Sequence, residues 1–82
     1  MTDAVATTNH TVIRKWAESR DGHPALAGQR ALRIDFGEPE GRLEAIEWDR
    51  FFDIFEKEKL AFLHQDMLDN GKTSRFNKFV AR

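Results

Sequence analysis

The 82-residue sequence contains no cysteine, no long apolar run and almost no net charge, its formal charge being −1. Without cysteine the chain has no disulfides, thiolate nucleophiles or thiolate metal ligands, so we expect packing alone to stabilise the fold. No stretch approaches the roughly 18 apolar residues of a membrane span, and the N-terminus lacks the features of a secretory signal. We therefore expect a cytoplasmic protein that does not enter membranes.

The length and composition predict one small globular domain. Hydrophobic residues make up 40% of the chain and charged residues 33%, which suits one small core better than a disordered region. We expect residues 1–8 to form a flexible lead and residues 9–82 to form a single α+β domain. Its parts would be an N-terminal helix, two to four short strands, a central aromatic helix packed on the sheet and a short basic C-terminal element.

The first predicted element is a helix near the N-terminus. Asn9 or Thr11 can cap it, and the helix should stop near Arg20. Its apolar face is formed by four side chains: Val12, Ile13, Trp16 and Ala17. Gly22 suits the left-handed position after a helix, and Pro24 just beyond it favours a helix end.

The clearest strand covers residues 30–36, where apolar side chains alternate with polar or small ones. The apolar set is Leu32, Ile34 and Phe36. Before it, residues 25–29 fit a loop or a weak edge strand. After it, residues 37–41 have the composition of a turn, and residues 42–46 fit a returning strand or the lead into the next helix.

Aromatic side chains recur at helical spacing in the second half of the chain: Trp48, Phe51, Phe52 and Phe55. This stripe predicts a helix over residues 48–57 that buries its aromatic face. Residues 60–66 fit either a continuation of that helix or a separate strand. If the strands on either side of the helix pair in parallel, their crossover should be right-handed.

Five blocks of sequence carry a resemblance to a known family over nearly the whole chain after residue 9. They are His10-x-x-Ile13-Arg14-x-Trp16-Ala17-Glu18-x-Arg20-x-Gly22-x-Pro24-Ala25, Leu32-Arg33-Ile34-Asp35-Phe36, Ile46-x-Trp48-Asp49-x-Phe51-Phe52-x-x-Phe55, Leu60-Ala61-Phe62-Leu63-x-Gln65-Asp66 and Ser74-x-Phe76-x-Lys78-x-Val80. In this order they resemble a small bacterial family whose members often carry the automatic label 1,4-alpha-glucan branching enzyme but lack a catalytic domain of that enzyme.

Two positions depart from this family. Asp21 stands where relatives have the first glycine of a Gly-Gly pair, and Glu47 stands where they have a serine that would cap the aromatic helix. The negative charge of Asp49 in the first turn would still interact favourably with the helix dipole. The resemblance also implies asparagines before Leu60 in relatives, which favours a strand over residues 60–66.

The residues do not predict an enzyme. Glucan branching resembles retaining glycoside transfer, which uses two carboxyl groups about 5 Å apart in a deep cleft, and the parent barrel needs about 250 residues. Asp49, Asp53 and Glu56 are spaced to share one helix face, but a solvated acidic face is the simpler interpretation. The histidines lack the spacing of a zinc site, so we expect no metal. Because the sequence contains no catalytic or cofactor-binding motif either, we also expect no cofactor and no catalysis.

The basic C-terminal segment 72–82 is the best functional candidate. Bases interleaved with phenylalanines can pair with phosphates while the rings stack on nucleobases. The favoured alternative is structural: Phe76, Phe79 and Val80 have the spacing of a final helical turn, capped by Ser74, that docks on the core.

These patterns predict a noncatalytic interaction module. Its partner would be an unidentified protein, or a second copy of the chain joined through open sheet edges. The alternative is a nucleic-acid-binding accessory protein that uses the segment 72–82. The candidate residues for binding a partner or nucleic acid are Arg14, Lys15, Arg20, Lys72, Arg75, Lys78 and Arg82.

Overall fold

The described chain has two helices and two three-stranded antiparallel sheets, which confirms the predicted α+β class. The computed structural model describes residues 4–37, 43–68 and 70–82. In chain order the elements are β1 (Val5–Thr7), α1 (His10–Glu18), β2 (His23–Ala27), β3 (Ala31–Asp35), β4 (Leu43–Ala45), α2 (Trp48–Lys57), β5 (Leu60–His64) and β6 (Asn77–Ala81). The predicted turn at residues 37–41 lies, after Gly37, outside the described residues.

Helix α1 begins as the sequence predicts, because the Oδ1 atom of Asn9 accepts a hydrogen bond from the Val12 N–H at 3.1 Å. Ile13, Trp16 and Ala17 are buried. Val12, which was expected on the same face, is 41% exposed. The helix ends at Glu18, two residues earlier than predicted.

In the turn after α1, Asp21 and Gly22 have structural roles that differ from the prediction. The left-handed residue is Asp21, with a φ of 57°, and not Gly22. Gly22 is required for space, since a Cβ atom there would lie 2.6 Å from Cγ2 of Ile34. The glycine therefore allows the end of α1 to approach strand β3 closely.

One sheet has the strand order β3-β2-β4. The prediction of a loop or edge strand at residues 25–29 was wrong, because β2 pairs with strands on both sides and Ala25 and Leu26 are 1% exposed. Strand β3 confirms the alternation at residues 30–36. Strand β4 is the returning strand rather than a lead into the next helix.

The other sheet has the order β1-β5-β6. Residues 60–66 do not prolong α2, because Lys59 has a φ of 51° and the chain then enters β5. Strand β1 lies within the predicted flexible lead and pairs with β5. The predicted helical turn near the C-terminus was wrong, because β6 pairs with β5 over its whole length and Phe76 is 47% exposed.

Helix α2 occupies the predicted residues 48–57 and packs between the sheets. Glu47 gives its first turn no side-chain cap, as expected from the missing serine. Phe51 and Phe55 are 0% exposed, whereas Trp48 and Phe52 are partly exposed. Strands β4 and β5, on either side of α2, lie in different sheets and do not pair, so no parallel crossover exists between them.

The buried core joins both helices to both sheets. It contains Ile13, Trp16, Ala17, Leu26, Leu32, Ile34, Phe51, Phe55 and Phe62. Phe79 of β6 extends this cluster, its ring centroid lying 5.8 Å from that of Phe51 and 5.3 Å from that of Phe62. Packing of aromatic rings therefore holds the two sheets together through α2.

Replacing Phe51 or Phe55 with alanine should lower the free energy of unfolding by roughly 3 to 5 kcal/mol, because each ring is fully enclosed and its loss leaves a cavity. Urea denaturation of the purified variants measures this. The control is Asp53→Ala on the exposed side of the same helix, which should change stability by less than about 0.5 kcal/mol. Parent-like stability of both phenylalanine variants would contradict the assignment of these rings to the core.

Candidate binding groove between the two sheets

A groove of about 600 Å³ lies where β3, an edge strand of one sheet, comes near β6, an edge strand of the other. From β3 and the residue after it, Arg33, Ile34 and Phe36 line the groove. Residues 75–79, which include the start of β6, line the opposite side. The groove is therefore a product of the tertiary fold, because its sides are about 40 residues apart in the sequence.

The lining of the groove combines positive charge with aromatic surface. Arg33, Arg75 and Lys78 supply the charge, and none of the described residues that line the groove is acidic. The ring of Phe76 is 47% exposed. The guanidinium carbon of Arg75 lies 5.3 Å from the centre of the Phe36 ring, a cation–π arrangement. Such a surface suits an anionic ligand that also carries apolar or flat groups.

Only two of the predicted basic candidates, Arg75 and Lys78, line this groove. Arg14 is paired with Glu18 at 3.3 Å on the exposed side of α1. Lys15 and Lys72 are exposed and do not belong to the groove lining. The seven candidates therefore do not form one continuous lining.

Arg20, another candidate, has its donors occupied by backbone carbonyls. Its Nε atom donates to the carbonyl of Ser74 at 2.6 Å, and Nη2 donates to that of Asp66 at 2.9 Å. Its Nη1 atom donates to the carbonyl of Trp16 at 3.0 Å, and the guanidinium lies over the Trp16 ring. Arg20 therefore fastens α1 to the segment that leads into β6.

Burial lowers the pKa of Arg20 from its ordinary value, and the nearby carboxylate of Asp66 opposes this effect. An arginine still keeps its charge in proteins. A smaller cavity of about 400 Å³ lies beside Arg20 and shares Arg75 with the groove. Because Asp21 also lines this cavity, it is less suited to anions than the groove is.

Arg82 belongs to a separate polar cluster at the far end of β6. Its Nη2 atom donates to Oε2 of Glu56 at 2.7 Å, and its Nε atom donates to the carbonyl of Leu60 at 2.6 Å. Nε2 of His10 lies 2.7 Å from the same Glu56 oxygen. The hydrogen bonds from Arg82 and then from His10 lower the pKa of Glu56.

The other two histidines, His64 and His23, lie outside the groove lining. His64 is 5% exposed, its ring lies 5.7 Å from that of Phe62, and its Nδ1 atom is 3.4 Å from Oδ1 of Asp66 without hydrogen-bond geometry. His23 is exposed at the start of β2. Within residues 4–37, 43–68 and 70–82, no group of three potential metal-ligating side chains is found.

Arg33 and Phe36 are the groove residues that the sequence did not single out. Their only local signal is the alternation of β3, which predicts an exposed side chain at Arg33 and a buried one at Phe36, whereas Phe36 is partly exposed. Nothing in that alternation indicates that β6 lies opposite.

Searches against protein-family models, curated proteins and solved structures found no match to the chain. The resemblance to the small bacterial family therefore stays a prediction. Neither helix in the described part of the chain is both long and apolar enough to cross a membrane.

Replacing Arg20 with alanine should lower the free energy of unfolding by about 2 to 3 kcal/mol, because carbonyls of the β6 lead-in lose a charged donor. Thermal or urea denaturation measures the change. Arg14→Ala is the matched control, since it removes an exposed ion pair on α1, just before the turn that holds Arg20, and should cost less than about 0.5 kcal/mol. Equal effects of the two substitutions would show that Arg20 is not a structural clamp.

The lowered pKa of Glu56 predicts a dependence of stability on acid. The unfolded chain binds this proton more readily than the folded protein, so the stabilisation is present above the ordinary value of 4.5 and is lost as the pH falls through the lowered folded pKa. Glu56→Gln should therefore flatten the loss of stability in acid, as measured by urea midpoints at successive pH values. Exposed Glu58→Gln is the control, and an unchanged acid profile in Glu56→Gln would refute the linkage.

Proposed function

We propose that the protein is a small noncatalytic interaction module and that the groove between β3 and β6 receives its partner. The observation that carries this proposal is the groove lining, in which Arg33, Arg75 and Lys78 surround exposed aromatic surface along two sheet edges that no other described strand covers. Open edges and exposed aromatic residues are features that partners commonly cover. We propose the cytoplasm as its location, since a chain without cysteine needs no oxidising compartment.

The noncatalytic part of the proposal is supported by the partners of the hydroxyl groups. Ser19 Oγ donates to the carbonyl of Trp16, and Ser74 Oγ donates to Oε1 of Gln65. Neither hydroxyl has the histidine partner of an activated serine nucleophile. Asp49 and Asp53 are exposed on α2 and lie outside the lining of the groove. These positions favour binding over catalysis.

A second candidate function is binding of single-stranded nucleic acid in the same groove. The observation that favours it is the exposed Phe76 ring beside Lys78 and Arg75, because stacking surfaces flanked by cations bind single strands without regard to sequence. The net charge of −1 weighs against it. Retention of single-stranded DNA that weakens steeply with added salt would support this candidate.

The double variant Phe76→Ala/Lys78→Glu should lose the partner while keeping the fold, because both side chains are exposed. As immobilised baits, the parent and the control Lys15→Glu should recover the same protein from extracts of the native cells. The double variant should recover about tenfold less of it. Circular dichroism and thermal melting of all three baits verify folding.

Recovery of identical proteins by the parent and the folded double variant would contradict the proposal. Treating the extract with nuclease before capture separates direct protein binding from capture through nucleic acid. Loss of the groove-dependent protein after nuclease treatment would favour the second candidate function.

A further inference from the structure

The hydrogen bonds at the two ends of the β5–β6 ladder determine its phase, that is, which of its residue pairs are hydrogen-bonded. At one end the Gln65 N–H donates to the carbonyl of Phe76 at 3.3 Å. At the other end the Arg82 N–H donates to the carbonyl of Lys59 at 3.0 Å. Both ends belong to the same register of the antiparallel pairing. In such a ladder hydrogen-bonded pairs alternate with pairs that are not hydrogen-bonded.

This phase determines which backbone groups of β6 are open. Lys78 and Val80, in step with Phe76, direct their N–H and C=O groups toward β5. Asn77 and Phe79 therefore direct theirs away from β5, on the side where no further strand pairs with β6 among the described residues. Asn77 and Phe79 also line the groove, so this open edge of β6 runs along the groove.

Strand β3 presents an edge of the same kind. The Ile46 N–H donates to the carbonyl of Pro24 at 3.2 Å, so Pro24 faces β4 and the alternate residues of β2 face β3. The same alternation turns the backbone groups of Leu32 and Ile34 away from β2. The Leu32 carbonyl accepts a hydrogen bond from Nη1 of Arg33 at 3.0 Å, whereas Ile34 lines the groove.

The alternating donors and acceptors of this edge select the class of ligand. An extended polypeptide supplies N–H and C=O groups at the repeat that Asn77 and Phe79 require. A sugar-phosphate backbone has no repeating N–H groups to donate to the two carbonyls. The main chain of the groove therefore favours a peptide over a nucleic acid.

The side chains of the groove select the charge of that peptide. Arg33 and Lys78 place positive charge in the lining, and no described lining residue is acidic. The half-exposed Phe76 ring offers an apolar contact next to them. Phe76 and Lys78 are two residues apart in the extended chain and therefore lie on the same side of it. A segment with an acidic and an apolar residue two positions apart, on one side, complements this lining.

We propose that the groove binds an extended acidic segment of a partner protein, which adds to the open edge of β6 through hydrogen bonds to Asn77 and Phe79. Its carboxylates pair with Arg33 and Lys78, and an apolar side chain contacts Phe76. This proposal rests on the groove being the partner surface. The partner is defined by the extended conformation and the negative charge of its binding segment.

The probe is a short labelled peptide with the repeat Glu-Ser-Val-Ser, long enough to span β6, in which glutamate and valine lie on the same side. Fluorescence anisotropy should show binding to the parent and to Lys15→Glu, and about tenfold weaker binding to Lys78→Glu. Two further peptides carry N-methyl groups on alternate backbone nitrogens, one at the odd positions and one at the even positions. The peptide whose methylated nitrogens face β6 should lose binding, and the other should keep it. A peptide with lysine in place of glutamate should not bind.

Amide hydrogen exchange followed by NMR gives a readout specific to strand addition. The amides of Asn77 and Phe79 should exchange about tenfold more slowly with the peptide bound. Those of Lys78 and Val80 are the internal control, because they already face β5 and should change much less.

Each result supports or overturns a distinct statement. Binding that depends on Lys78 without protection of Asn77 and Phe79 would overturn strand addition while keeping the groove as the partner surface. Equal binding of the glutamate and lysine peptides would overturn the acidic specificity. No peptide binding, together with groove-dependent binding of oligothymidylate, would overturn both this inference and the protein-partner function.

Discussion

Enclosure of the α2 phenylalanines between two small sheets is the constraint on which the rest of the structure depends. Each sheet has only three strands, so neither can form a core without a layer packed against it. Phe51 and Phe55 supply that layer, and Phe79 brings β6 against them at centroid distances of 5.8 and 6.5 Å. Because few large side chains make up the core of a domain this small, each carries a large share of the stability.

The elements predicted correctly are those whose signals are local. The period of the aromatic stripe indicated α2, the alternation at Ile34 and its neighbours indicated β3, and Asn9 indicated the start of α1. Strand β2 was predicted only as a loop or weak edge strand, because it begins at a His-Pro pair and continues as Ala-Leu-Ala, and only pairing on both sides makes it a central strand. For β6, the spacing of Phe76 and Phe79 fits a helical turn, and pairing with β5 decides against it.

The groove could be predicted only in part, for a related reason. Charge and aromatic content pointed to Arg75 and Lys78, but Arg33 and Phe36 join them only because β3 and β6 are edges of different sheets brought together by α2. From the sequence alone, every arginine side chain is also equally available to a partner. Arg20 shows why this fails, since carbonyl groups from distant segments occupy its donors.

The arginines outside the groove still bear on it, because they hold β6 at both ends. Arg20 bonds the carbonyl of Ser74 before the strand, and Arg82 bonds Glu56 and the carbonyl of Leu60 after it. A strand fixed in this way loses little further freedom when a partner pairs with it, which lowers the entropic cost of binding. In the proposed complex, Arg20 and Arg82 would thus favour binding by ordering the edge and would not themselves touch the partner.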